Sequence, residues 1–444
     1  MKILTALFLL FLATSISYSQ SWSAMGGGTG WGTCMAVYNN ELYAGGVYGI
    51  LKWNGSSWVP VGSGVNGEVD AMAVYNNQLI VGGRFTTAGG ISVLYIASWD
   101  GSVWSDIGGG PDSYVQSLCV YGNSLIVGGY FASVEGITAN SIIGYNNTGW
   151  FTLGASMGGS QGTVMAMTVY NNELIAGGFF TIAGGVSASY IAKWNGSLWS
   201  AMSSGTNSIV YSLGLYNGNL IAGGLFSTAG GVSANCVASW DGNTWSALGA
   251  GCGGGFYPYV FGLVSFGGSL YIGGLYTTAG GQTVNGISRW DGSNYYSLGS
   301  GFYNGGANVY GAYALCVWNN QLIANGIFTT AGGTGAGNIA AWDGLLTGSH
   351  NISQNTPDKF SLSQNYPNPF NPQTNINYSI PKGGSVKITV CDILGKEVAV
   401  LVDRNQNAGA YQIKFDGSNL SSGVYFYHIQ AGDFNETKKM ILTK

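Results

Sequence analysis

The sequence predicts an all-β protein: a seven-bladed β-propeller of four-stranded blades, followed by a small β-sandwich. Three observations lead there. A phrase of the type VYNNxL recurs seven times, with its Leu at 42, 79, 125, 174, 220, 270 and 322. Independently, an aromatic before an Asn- or Asp-rich turn recurs at Trp53, Trp99, Tyr145, Trp194, Trp240, Trp290 and Trp342, in steps of 46, 46, 49, 46, 50 and 52 residues. Composition agrees: 76 Gly, 28 Tyr and 14 Trp with only 7% charged residues suit short strands joined by tight turns.

The first element is a leader. MKILTALFLLFLATSISYSQ carries one cation, Lys2, then an apolar run over residues 3–13 and small residues Ser17 and Ser19. This predicts a signal peptide, residues 1–19, cut between Ser19 and Gln20. The run is too short to span a bilayer. No Cys stands at the junction for lipidation, and no later stretch reads as a transmembrane anchor.

The propeller is expected over residues 20–344. Residues 69–107 show the repeat. VDAMAVY alternates small and large residues as a packed strand does. Asn76-Asn77 makes a tight turn, QLIVGGRF is the second strand, and TTAGGISVL reads as a loop. YIASW is the third strand, Asp100-Gly101 a hairpin turn and VWSDIG the fourth, so each repeat has four antiparallel strands, a to d. A diglycine closes strand b at 45–46, 82–83, 128–129, 177–178, 223–224 and 273–274, and the last copy reads Asn325-Gly326. It is expected to let a neighbouring aromatic lie flat on the backbone. Aromatic pairs five apart, such as Trp99 and Trp104, fill between sheets.

Strand d appears only six times after its own repeat, at Trp58, Trp104, Trp150, Trp199, Trp245 and Tyr295/Tyr296. The seventh repeat stops at Trp342-Asp343-Gly344, and the missing strand is SWSAM at 21–25. The N-terminus is therefore expected to complete the last blade and remove an open sheet edge. The diglycine followed by paired aromatics resembles the kelch-type propeller repeat over roughly residues 21–344, with less charge and a closer aromatic spacing.

Residues 345–358 are polar and aperiodic, and read as a linker. Residues 359–444 read as the sandwich, with alternation at Val386, Ile388, Val390 and at Tyr425, Tyr427, Ile429. This tail resembles the type A C-terminal sorting domain of the type IX secretion system. The matching words are Tyr366-Pro367-Asn368-Pro369-Phe370-Asn371-Pro372, Asp392 to Gly395, Ser422-Gly423-Val424-Tyr425 and Lys438-Lys439. The resemblance implies an address: transit through the periplasm, contact with the secretion machinery, and delivery outside the cell or onto its surface.

For chemistry the propeller region is poor. It has no His; His350 is in the linker and His428 in the tail. Residues 21–344 hold four cations against eleven anions, a balance of −7, which argues against nucleic acid. Six scattered Cys (34, 119, 236, 252, 316, 391) lack metal-ligand spacing. Cys236 and Cys252 are placed to approach each other or to stay buried thiols. No metal, cofactor or catalytic constellation is expected. The rival reading is a glycan-active enzyme using loop carboxylates Glu68, Asp70, Asp112 and Glu135.

Binding is the favoured reading. The b–c and d–a loops of a propeller share one face. Two late d–a loops are long, Gly-spaced and aromatic: Phe256, Tyr257 and Tyr259 in one, Phe302, Tyr303 and Tyr310 in the next. Such rings suit a glycan or a protein ligand. The expectation is a monomeric, non-catalytic, surface or secreted binding protein.

Overall fold

A computed structural model describes residues 21–155, 157–158, 162–255, 257–306, 310–319, 321–342, 350–353, 357–406, 408–417 and 420–444. Leader residues 1–20, with the Ser19/Gln20 cleavage site, and Phe256 lie outside them. The described residues are all-β, dominated by four-stranded antiparallel sheets.

Seven of these sheets follow the repeat. The second, for example, joins Val69–Tyr75, Gln78–Gly83, Ile96–Trp99 and Trp104–Ser105. Turn chemistry sets the hairpins. Asn76 and Asn77 both take left-handed backbone, φ 46° and 59°, which a two-residue hairpin requires. At the c–d turn Asp100 accepts from the N–H of Ser102 (2.8 Å) and of Val103 (2.7 Å), and Asn54 and Asn195 brace their turns in the same way. The seventh sheet joins Gly311–Trp318, Gln321–Ile327, Ile339–Trp342 and the N-terminal Trp22–Ala24, with Trp22 opposite Trp342.

Two sets of side-chain-to-carbonyl hydrogen bonds run between neighbouring sheets. The strand-d aromatic donates to a carbonyl of the preceding sheet's d–a loop: Trp104 to Val61 (2.9 Å), Trp199 to Leu153 (2.8 Å), Trp245 to Met202 (3.0 Å) and Tyr295 to Leu248 (2.8 Å). Trp22 continues the series to Leu298, and Trp58 of sheet one donates to Met25, both at 3.0 Å. At the other end, Tyr38 donates to the Asn77 carbonyl and Tyr75 to that of Asn123; Trp318 of sheet seven donates to Asn40 of sheet one at 3.0 Å.

The diglycine has a different cause from the expected one. A Cβ on Gly82 would lie 2.4 Å from Val115 Cγ1 of the next sheet, and one on Gly83 would lie 2.1 Å from the Glu68 carbonyl. Strand a of the neighbouring sheet fills the space beside Gly82, and the sheet's own strand a fills that beside Gly83; neither is an aromatic ring.

Two segments differ from expectation. Thr87–Ala88 and Ile91–Ser92, within the supposed b–c loop, form a small hairpin. The supposed linker contributes His350–Ser353 as an outer strand pairing with Gly409–Asp416. Backbone pairing at a sheet edge needs no apolar alternation, so the sequence carried no signal for either.

The tail is two four-stranded sheets, with strands in the order 350–353, 409–416, 373–380, 361–362 and 397–406, 384–391, 423–431, 434–442. Ile376, Tyr378 and Ile413 of one pack with Ile388, Tyr427 and Met440 of the other in one buried core, as a sandwich requires.

Candidate functional site

Every strand a of the seven sheets carries a β-bulge at the same place, between Val69 and Ala71 in the second sheet and at the equivalent pairs elsewhere. The extra residues are Thr33, Asp70, Gln116, Met165, Tyr211, Phe261 and Tyr313. A bulge releases its residue from the ladder and re-aims the side chain. All seven are half-buried, whereas the residues before them are buried. The sequence reading missed this set, although a signal exists: this position varies freely between a residue that is Val in five of the seven copies and a small residue.

On one side the bulge residues are aromatic and touch. Phe261 stacks on Tyr313 at 4.6 Å and on Tyr259 at 5.6 Å, and Tyr211 lies 5.0 Å from Phe261. Burial first, and then Tyr259, raise the pKa of both Tyr211 and Tyr313. Tyr257 extends the run, 6.5 Å from Tyr259 and 61% exposed.

On the other side the groups are polar. Arg84 Nε lies 3.2 Å from Asp70 and 3.3 Å from Glu68, and its guanidinium sits over the Tyr114 ring at 5.2 Å. Burial, and then the Glu68 charge, push the Asp70 carboxyl up to about 6 against the pull of Arg84. Gln116 Oε1 is buried without a hydrogen-bond partner. The Thr33 hydroxyl donates to the Val69 carbonyl of the next sheet.

The nominated loop aromatics divide. Tyr303 is 53% exposed and Tyr310 half-buried, 6.3 Å apart. Phe302 does not face outward. It is buried, stacked on Phe328 at 4.2 Å and 5.0 Å from Trp22. Its strand, Phe302–Tyr303, pairs with Thr330–Ala331, so alternation sends one ring in and the next out. Trp31, Tyr48, Tyr114 and Tyr130 are further exposed rings, not nominated from sequence, on d–a and b–c segments.

Of the other carboxylates, Asp112 is a brace. It accepts from Ala132 N–H (2.9 Å) and from the Ser133 N–H (3.0 Å) and hydroxyl (2.9 Å). Burial opposes these bonds, but together they hold its pKa below the ordinary value. Glu135 is exposed. Cys236 and Cys252 are free, buried thiols lining one cleft of ≈ 300 Å³. Burial pushes Cys236 up to about 12, far from a reactive thiolate.

In the tail, Phe370 of the motif is buried in the sandwich core, and its N–H donates to Ile441 at 2.9 Å. Asn368 accepts from the Ile441 N–H at 2.9 Å. Asn365 Nδ2 donates to the Pro367 carbonyl at 3.0 Å, and the peptide bonds before Pro367 and Pro369 are cis. Gly395 takes φ 79° in the turn opened by Asp392, where Ile393 and Leu394 are 69% and 88% exposed. Gly423 pairs with Leu442, and the Tyr425 hydroxyl donates to Ser421 at 2.8 Å. Lys438 pairs with Glu436, while Lys439 is exposed and its carbonyl accepts from Gln364. Tyr366 is 81% exposed.

Residues 364–443 match the family described as secretion system C-terminal sorting domain. The chain therefore carries a type IX sorting tail, which marks it for export to the cell surface or the medium. No curated protein matches the chain. Among solved structures it is similar to PorZ, a surface component of the type IX secretion system of Porphyromonas gingivalis. Identity is 14%, the TM-score is 0.37, and the match covers 91% of this chain and 64%, under two thirds, of that one. It is also similar to a protein of unknown function from Bacteroides thetaiotaomicron, at 11% identity and a TM-score of 0.38, over 73% of this chain and 76% of that one.

Proposed function

We propose that this is a secreted or surface-displayed binding protein without catalysis, whose seven sheets form a closed, kelch-like propeller carried out of the cell by the sorting tail. The ring reading is supported by two sets of side-chain-to-carbonyl hydrogen bonds that both return from sheet seven to sheet one, through Trp22, Met25 and Trp318. The binding reading rests on one observation: the aromatic run from Tyr257 through Tyr259 and Phe261 to Tyr313, which ends on an exposed ring. Half-buried stacked aromatics that lead to an exposed ring, with little surrounding charge, suit adhesion to a glycan or a protein. The test is a glycan array and a pull-down with the mature chain beside its Tyr257→Ala/Tyr303→Ala variant. Capture that the variant loses supports the reading; no capture by either surface-bound class defeats it.

The enzyme reading has one observation in its favour, the raised pKa of Asp70 beside Glu68, since a general acid needs such a carboxyl. Release of reducing ends from a polysaccharide, lost in Asp70→Asn, would establish it.

A further inference from the structure

We infer that the seven bulge residues form a two-sided ring that takes the end of a neutral glycan. The inference rests on the ring reading above and assigns that site its ligand class.

The order of the residues carries it. Thr33, Asp70 and Gln116 come from sheets one to three, and Tyr211, Phe261 and Tyr313 from sheets five to seven, with Met165 between them. Polar and aromatic side chains are segregated rather than interleaved. In a ring of seven sheets the hydrogen-bonding arc then faces the aromatic arc. A pyranose has the same division, with an apolar face of C–H groups and an edge of hydroxyls. Small-molecule sites commonly pair an apolar wall with a few polar groups that fix the ligand's orientation.

The polar arc also holds an unfilled acceptor. Two carboxylates, Glu68 and Asp70, share one guanidinium, and Gln116 Oε1 is buried with nothing donating to it. A buried acceptor left unpaired is destabilising, so a ligand that donates there gains by filling it. Sugar hydroxyls are donors without net charge.

Charge excludes the alternatives. Glu68 and Asp70 repel an anionic polymer. A cation would meet Arg84, which already occupies the space between the carboxylates and the Tyr114 ring. The region's other three cations are held elsewhere: Lys52 by Glu41, Lys193 by Glu173, and Arg289 over Tyr296.

The test uses the mature full-length chain and calorimetric titration with cellohexaose, laminarihexaose, mannohexaose, xylohexaose and chitohexaose, beside trigalacturonate and tetralysine. At least one neutral oligosaccharide is expected to bind saturably below about 10 mM, and Gln116→Ala and Tyr313→Ala each to weaken it about tenfold. Tyr296→Ala, on an outer strand, is expected to change nothing. Gln116→Ala guards against a Tyr313→Ala variant that fails to fold. Tighter binding of trigalacturonate or tetralysine, indifference to Gln116→Ala, or no neutral ligand at all overturns the inference. Protein capture that is sensitive only to Tyr257 and Tyr303 would leave the binding reading standing without it. Hydrolysis of a bound neutral glycan would keep this ligand and defeat the non-catalytic reading.

Discussion

Asn325 fills the space that Gly32 leaves. Both are buried, and a Cβ on Gly32 would lie 1.9 Å from Asn325 Nδ2. Elsewhere the sizes are reversed: Gly45, Gly82, Gly128, Gly177 and Gly223 each face a Val of the next sheet's strand a. The large partner therefore sits on strand b only between the seventh sheet and the first. There Thr29 donates to Asn325 Oδ1 at 3.1 Å.

Gly32→Val should cost about 1–3 kcal/mol by overpacking against Asn325. Adding Asn325→Gly restores the arrangement of the other junctions and should recover most of the loss. Denaturant titration of both single variants and the double measures the coupling. Strictly additive losses would mean that the two residues do not meet.

Trp22 is buried, its ring 5.1 Å from that of Trp342. Trp22→Ala should lower stability by about 3–5 kcal/mol. Deleting residues 20–26 exposes the Ile339–Trp342 edge and should reduce solubility. A deletion that melts like the parent would refute the role given to this strand.

Asp70 gives a pH signature. Its folded pKa of about 6 lies above its ordinary value near 4, so the folded state holds the proton more tightly than the unfolded chain. The stability this contributes is complete below pH about 4 and is lost as pH rises through about 6. Over that window the protein should lose on the order of 2 kcal/mol relative to Asp70→Asn. Urea midpoints that run parallel for the two proteins would contradict the burial of this carboxyl.

The two rings of the Phe302–Tyr303 strand should behave oppositely. Phe302→Ala removes a buried ring and should cost about 3–5 kcal/mol. Tyr257→Ala with Tyr303→Ala should stay within about 0.5 kcal/mol per site in stability yet weaken ligand binding about tenfold. A sharp drop in melting temperature for the tyrosine pair, with binding intact, would make them filler between sheets.

Removing residues 360–444 should leave the remainder in the periplasm, read by cell fractionation. Leu394→Asp is a finer probe. The side chain is 88% exposed, so folding should be unaffected while surface delivery falls. Unchanged delivery would place recognition elsewhere on the tail.

The strands, their turns and the displaced N-terminal strand were legible in the sequence, because each depends on local chemistry. Asn-Asn and Asp-Gly dictate hairpins within a few residues, and a strand missing from one repeat can be counted. The sorting tail was legible for a similar reason, since its words are short and ordered. The site was read only in part. Tyr257 and Tyr303 were nominated as outward rings and are exposed, but Phe302 beside Tyr303 is buried under Trp22, a residue at the other end of the chain. The bulge residues went unseen, because periodicity registers a strand but not the single extra residue that turns a side chain out of it. Local pattern determined which elements form. Contacts between residues far apart in the sequence decided which side chains they bury and which they present, because burial belongs to the packed neighbours and not to the residue.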